Sequence, residues 1–218
     1  MSTGNGSEAP AIAVLDYGIG NLRSAEKALQ HLGADARLVS DPDEAVRSRA
    51  MVLPGVGAFG PCAQALRRSG LGGAVRHALD VAVPFLGICI GFQLLFEGSD
   101  EAPGADGIGA MAGVVRALPA GVKRPQMQWN RLDRRPERPS AMLEDLPADC
   151  WAYFVHSYAP EDGPDVVATC DYGGPVVAAA ERGPLWGAQF HPEKSGAVGL
   201  AMLGNFVRAA ERSGAGAR

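Results

Sequence analysis

The stretch VPFLGICIGFQLL, residues 83–95, runs an apolar segment straight into Cys89, with Gly87 two residues before it and Gly91 two after. A cysteine at the tip of a buried strand and directly before a helix occupies a strand-turn-helix elbow, whose tight turn forces strained dihedrals on the nucleophile. Glycines at those two positions remove side chains that would collide with neighbouring backbone. A helix over GFQLLFEG would aim its first amides and positive dipole end at the sulfur, favouring thiolate over thiol. Taken alone, Cys89 reads equally as a small buried hydrophobe. Nucleophilic catalysis also demands a base within hydrogen-bond reach and a group to orient that base.

QFHPEKSG, residues 189–196, offers both. His191 is placed to take the thiol proton, and Glu193, two residues on, to accept from the other ring nitrogen, since residues two apart in an extended segment point to the same side. A lone HPE would read as a surface turn with a solvated pair; after the apolar LWGAQF, in a chain with the elbow, it reads as the rest of a triad. Attack on a carbonyl further requires donors for the oxyanion. PGVGAFG, residues 54–60, follows another apolar run, and its glycines free the loop amides around Val56 and Gly57 to face a ligand; the Ile90 amide, next after the nucleophile, is the second donor. The same loop also reads as a tight strand-to-helix turn, and no GK[ST] follows it to make a phosphate cradle. His156, inside the apolar WAYFVHSYAP, reads first as a satisfied core histidine, with a place in a pocket wall as its second reading.

Positioning such groups calls for alternating strands and helices. AIAVLDYG predicts a buried strand, NLRSAEKALQHLG a helix with Asn21 as N-cap and Gly33 as C-cap, and ARLVS a second strand. DPDEAVRS is a capped helical turn. AMVLPG gives a third strand, two helical segments cover 56–80, and VPFLGIC gives the fourth. This alternation predicts a parallel sheet with helices on both faces. Beyond about residue 110 strand candidates follow one another closely: GVVRAL, CWAYFVHSYA, DVVATCDYG, PVVAAAERG and LWGAQFHP. They predict a mixed-sheet extension, closed by a helix over GAVGLAMLGNFVRAAER. The reading is one domain over 11–211, with flexible tails at 1–10 and 212–218.

Composition narrows the rest. With 218 residues, 47% of them hydrophobic, the chain can bury a sizeable core, and a net charge of −4 provides no footprint for nucleic acid. Arg131, Arg134, Arg135 and Arg138 crowd one Pro-rich stretch, read as a solvated loop or a partner surface. No apolar run reaches the roughly 20 residues that span a bilayer, and MSTGNGSEAP lacks the features of a signal peptide, which places the protein in the cytoplasm. Cys62, Cys89, Cys150 and Cys170 form no CxxC and do not cluster with the histidines, so reduced thiols and no metal are expected.

At these residues the chain resembles the class I glutamine amidotransferases, whose GxCxGxQ stands here as GICIGFQ and whose HxE stands as HPE. DYGIGNLRS, LPGVGAFG, GICIGFQLLFEGSDE, YFVHSY and LWGAQFHPEKSG, spread over residues 16–196, are similar to the glutaminase-subunit family of imidazole glycerol phosphate synthases. The resemblance implies an α/β, flavodoxin-like fold: a mostly parallel sheet flanked by helices, with an antiparallel or mixed section in the C-terminal half. It implies hydrolysis of glutamine to glutamate and ammonia without metal or organic cofactor, the ammonia passing to a (βα)8-barrel cyclase subunit in a heterodimer. By the same resemblance Cys89, His191 and Glu193 are the catalytic triad; Val56, Gly57 and Ile90 form the oxyanion hole; Gln93, Glu101 and Gly55 contact substrate; Asn21, Trp129 and Lys194 face the cyclase. One stretch departs: PHMGWN, usual in that family near the subunit interface, reads PQMQWN, with Gln126 and Gln128 in place of His and Gly. An amidotransferase subunit serving another acceptor, and a non-catalytic regulatory relative, are the alternatives.

Overall fold

In the computed structural model of the protein, which describes residues 9–215, the alternating first half becomes β1 (Ala11–Leu15), α1 (Leu22–His31), β2 (Asp35–Val39), a short α2 (Pro42–Ala45), β3 (Ala50–Gly55), α3 (Phe59–Arg68), α4 (Leu71–Asp80) and β4 (Phe85–Cys89). Every residue of AMVLPG in β3 and FLGIC in β4 is buried, as strands covered on both faces require. α1 buries Leu22, Ala25 and Leu29, three and four residues apart, against the sheet. It ends as expected at Gly33, in the left-handed region at φ +89, with the Ala34 amide donating to Leu29 O and the Gly33 amide to Gln30 O.

Its start differs from the expectation. Asn21 holds the N-cap position, but its backbone, φ −87 and ψ 63, lies outside the extended region a cap uses, and its side chain makes no capping hydrogen bond. α2 shows the alternative: Asp41 is extended at ψ 119, and its Oδ1 accepts from the Asp43 amide at 2.9 Å.

After Cys89 comes α5 (Ile90–Gln93), a single turn rather than the helix expected over GFQLLFEG. The chain then tightens, with Leu95 and Phe96 amides reaching back three residues to Phe92 and Gln93, and turns into β5 (Gly98–Ser99) and β6 (Val114–Ala117). β7 (Gln126–Arg131) and β8 (Asp133–Arg134) follow. CWAYFVHSYA, read as one strand, breaks at Ser157 into β9 (Trp151–His156) and β10 (Tyr158–Pro160), which join different sheets. β11 (Val166–Asp171), β12 (Pro175–Arg182) and β13 (Leu185–Ala188) lead through a 3-10 turn (Pro192–Lys194) to α6 (Gly196–Ala215).

Eight strands form the central sheet in the order β2-β1-β3-β4-β13-β12-β11-β8. Neighbours from β2 to β13 run parallel, and the β12, β11 and β8 additions are antiparallel, the mixed extension that closely spaced strands had indicated. β10, β6 and β5 form a small second sheet, and β7 pairs with β9 as an antiparallel ribbon. QMQWNR carries no strand signal in the sequence, because it lacks the apolar run that marks the others.

The tails expected at 1–10 and 212–218 fall largely outside the described residues, which exclude 1–8 and 216–218. Where they are described they are structured: Pro10 is buried and its carbonyl accepts from the Asp35 amide, and α6 runs on to Ala215. Among the described residues no helix is long and apolar enough to cross a membrane.

Candidate active site

Cys89 ends β4 with φ +55 and ψ −111, a left-handed region that a non-glycine residue enters at a cost of about 1–3 kcal/mol. The surrounding packing holds it there. A Cβ on Gly91 would lie 1.7 Å from the Leu53 carbonyl oxygen, and one on Gly87 2.8 Å from the Gly91 oxygen and the Phe92 Cα. Backbone from β3, β4 and α5 therefore meets with no room for a side chain. With α5 only one turn long, the field at the sulfur comes from the nearest amides rather than from a long helix dipole.

The sheet register brings the other half of the site to this sulfur. β13 runs beside β4 with Gly187 opposite Gly87 and Ala188 opposite Ile88, so the chain leaving β13 passes Cys89. Gln189, 100 residues from Cys89 in sequence, puts Nε2 3.9 Å from Sγ. Two residues on, the His191 amide donates to Tyr153 O at 3.0 Å, and Ser195 Oγ donates to His191 O at 2.7 Å, which pins the backbone on both sides.

The His191 Nδ1 to Glu193 Oε1 distance is 2.8 Å, and both side chains are almost wholly buried. With Nδ1–H given to the carboxylate, Nε2 remains for Cys89, whose sulfur is close enough to raise the ring's proton affinity. Burial opposes the imidazolium, but hydrogen bonds and charge interactions with Cys89 and Glu193 outweigh it and push His191 up to about 9.

These groups open onto a cavity of about 240 Å³ whose wall includes Val56, Gly57, Ile90, Gln93, Glu101 and His156. Most of the sequence candidates thus meet at one place. Gly55 is the exception. It does not line the cavity; a Cβ there would lie 2.7 Å from Tyr17 Oη and 2.9 Å from the Gly91 amide, so this glycine lets the loop pack on the elbow. Glu101 also caps α3, accepting from the Phe59 amide at 2.8 Å. Gln93 donates from Nε2 to Tyr158 O (2.8 Å) and to Gln189 Oε1 (3.0 Å), which leaves its buried Oε1 without a protein partner.

His156 answers to both of its readings. It is buried on β9, and it belongs to the cavity wall. Its Nδ1 lies 2.9 Å from Tyr158 O, the proton sits on that nitrogen, and the buried Nε2 is a bare acceptor. Burial depresses it to about 4, with a further push from His191, so the ring is neutral near pH 7. Gln189, Val155, Ser157 and Tyr158 complete the surroundings and had no sequence signal of their own, since each is placed by register or by the break at Ser157.

The three residues expected to face a partner are all exposed and flank the cavity-bearing end. The 3-10 turn that carries Lys194 packs between α1, which Asn21 precedes, and β9; a Cβ on Gly196 would lie 4.0 Å from the Trp129 ring. Trp129 and Tyr153 face each other across the ribbon, ring centres 6.1 Å apart. Among exposed large apolar side chains, Met127 (62%), Trp129 (49%) and Trp151 (48%) all lie on this ribbon.

The chain is similar to known proteins in sequence and in fold. The sequence profile of the family described as Glutamine amidotransferase class-I matches residues 13–210. The imidazole glycerol phosphate synthase subunit HisH of Deinococcus radiodurans is 48% identical over 212 residues, 95% of this chain and 98% of that protein. The protein of the same name from Moorella thermoacetica is 42% identical, over 93% and 97%. Among solved structures, a glutamine amidotransferase superimposes with a TM-score of 0.72 at 21% identity, covering 91% of this chain and 98% of that one. A putative GMP synthase component from Thermoplasma acidophilum gives 0.71 at 21%, over 93% and 94%; both likenesses speak to fold. The chain belongs to the class-I glutamine amidotransferase family and, within it, to the imidazole glycerol phosphate synthase HisH subunits.

Proposed function

We propose that the protein is the glutaminase subunit of an imidazole glycerol phosphate synthase of the cytoplasm, hydrolysing glutamine and handing ammonia to a (βα)8-barrel cyclase subunit in histidine biosynthesis. The observation that carries this reading is the buried Cys89, His191 and Glu193 arrangement opening onto a cavity of about 240 Å³, in a chain of this family.

His191 takes the thiol proton, and the Cys89 thiolate attacks the side-chain carboxamide carbon of glutamine. The tetrahedral oxyanion is met by amides of the Val56–Gly57 loop and of Ile90, each such donor being worth about 10² to 10³ in rate. The imidazolium then gives its proton to the leaving nitrogen, ammonia departs, and a γ-glutamyl thioester remains. Water, deprotonated by His191, attacks the thioester; glutamate leaves and the thiol is restored. Glu193 holds the ring and stabilises its charge. Gln93, through its unpartnered Oε1, and Glu101 bind polar groups of the substrate. No step calls on a metal or organic cofactor.

Asn21, Trp129 and Lys194, with the exposed apolar ribbon, form the face that meets the cyclase. Gln126 and Gln128 lie on the same ribbon but differ: Gln126 is fully buried, its Nε2 directed to Cys170 Sγ at 3.7 Å, whereas Gln128 is exposed. Of the two, only Gln128 is open to a partner, and it points to the face of the ribbon opposite Met127 and Trp129. The reading is tested by measuring glutamate release by wild type and Cys89→Ala, each with the liganded cyclase. Loss of at least about 10³-fold in the variant is expected; equal rates, or no release by wild type, would overturn it.

A further inference from the structure

The loop expected to supply the oxyanion donors is tied from behind by two buried side chains that the mechanism above does not use. Tyr17, in the turn after β1, donates its hydroxyl to Pro54 O at 2.8 Å. Cys62, in the first turns of α3, donates its thiol to Val56 O at 3.4 Å. The hydroxyl and the thiol are neighbours, close enough for each to affect the other's proton affinity, and both residues are buried. Burial raises the proton affinity of both groups, so both keep the protons they donate.

A peptide unit is planar and trans, so fixing a carbonyl also fixes the N–H on its opposite edge. The tie to Pro54 O sets the Gly55 amide, and the tie to Val56 O sets the Gly57 amide. Between the two tied carbonyls lies the peptide that carries the Val56 N–H. Val56 and Gly57 line the cavity and Cys62 does not, so the Val56 carbonyl is drawn off the cavity wall and the Gly57 amide is turned the other way. The 2.7 Å between Tyr17 Oη and a Cβ on Gly55 leaves the loop no slack on that side.

We propose that Tyr17 and Cys62 are positioning residues for the oxyanion-binding loop: a hydroxyl and thiol pair behind the nucleophile that fixes the Pro54 and Val56 carbonyls and thereby the direction the loop amides face. The proposal rests on the glutaminase reading. It assigns Cys62, the thiol nearest the reacting one in function, a donor's role instead of a nucleophile's or a redox partner's.

The test compares wild type, Tyr17→Phe, Cys62→Ala and Cys62→Ser, each in complex with the cyclase, in two assays. One is steady-state glutamate release; the other is alkylation of Cys89 by iodoacetamide, followed by peptide mass mapping, which needs the thiolate and no oxyanion hole. Tyr17→Phe and Cys62→Ala are expected to lower kcat by on the order of 10-fold, a fraction of what loss of a whole donor costs. The KM for glutamine should stay within twofold and the Cys89 alkylation rate should not change. Cys62→Ser, which keeps a donor, should recover most of the rate. Wild-type kcat in both donor-less variants would overturn the proposal. So would parallel loss of hydrolysis and alkylation, the mark of general disruption, or failure of serine to rescue. If Cys62→Ala does not fold, Tyr17→Phe decides. A wild-type complex that releases no glutamate would refute the glutaminase reading itself, a result distinct from an active wild type with unaffected variants.

Discussion

The elbow at Cys89 and the loop at Pro54–Gly57 lie side by side at the ends of neighbouring strands beside one cavity, yet they are held by opposite means. The elbow is fixed by backbone touching backbone, with the Leu53 carbonyl in the space a Gly91 side chain would need. The loop is fixed by hydrogen bonds from Tyr17 and Cys62 to its carbonyls. Close packing resists deformation steeply and carries no charge, whereas a hydrogen bond is worth about 1 kcal/mol net and depends on a proton. His191 and His156 belong with the loop in this respect, since each is set by the proton it shares. The site therefore joins a part that tolerates no change in volume to parts that answer to chemistry.

The sharpest way to break the comparison is to overfill the packed part. Gly91→Ala places a Cβ 1.7 Å from a main-chain oxygen between two central strands, where neither can move without disturbing the sheet. Destabilisation of more than about 4 kcal/mol is expected, read as loss of soluble protein or a large fall in unfolding midpoint. A mildly destabilised, fully folded Gly91→Ala would mean the elbow has slack.

The proton-dependent parts should show themselves against pH. His156 sits at about 4 in the folded protein against an ordinary 6.5, so between these values the unfolded chain binds the extra proton and stability falls as pH drops, by up to about 3 kcal/mol. His191, raised to about 9, contributes stability that is complete below about 6.5 and is lost as pH climbs through 9. Together these two residues give a stability maximum near pH 6.5, measurable by urea unfolding at a series of pH values. His156→Gln should flatten the acid side and leave the alkaline side alone. An unchanged acid side would remove His156 from the account.

Activity sharpens the same division. The imidazolium must be present to protonate the leaving nitrogen, so glutamate release should fall away as pH rises through about 9. Glu193→Gln keeps an acceptor for Nδ1–H but removes the carboxylate charge that helps raise His191. Its alkaline limb is expected to move to lower pH, with a reduced plateau; a pH profile that keeps its shape would show that the Glu193 charge does not set the proton affinity of the ring.

How much of this was legible in the sequence follows from the distances over which each feature is fixed. β1 to β4 and their helices could be read because each is an apolar run bounded by its own turn residues. The Cys89 elbow and the His191–Glu193 pair could be read because glycine spacing and a two-residue separation are local facts. What escaped is what only the fold creates. β7 is a strand because β9 pairs with it, and Ser157 breaks a continuous apolar run because two sheets claim its ends. GFQLLFEG makes one helical turn because Gly107, Ile108 and Met111 amides come back to bond to Glu97, Leu94 and Leu95 carbonyls. Gln189 reaches Cys89 only through the β4–β13 register, and Tyr17 and Cys62 reach the loop from 37 and 6 residues away.

The smallest effect probes a local rule that failed. Asn before an amphipathic run is a strong helix-start signal, yet at α1 the Asn21 side chain caps nothing, while at α2 the Asp41 carboxylate accepts from the Asp43 amide. A working cap is worth about 1 kcal/mol, and an exposed side chain without that bond well under half of it. With the chain free of its partner, Asp41→Ala should therefore lower stability by about 1 kcal/mol and Asn21→Ala by less than about 0.5 kcal/mol. The order matters more than the sizes. α1 is held by burying Leu22, Ala25 and Leu29, so its N-terminal residue is free to face a partner; if Asn21→Ala proved the costlier change, that residue would be structural, and its place on the docking face would have to be given up.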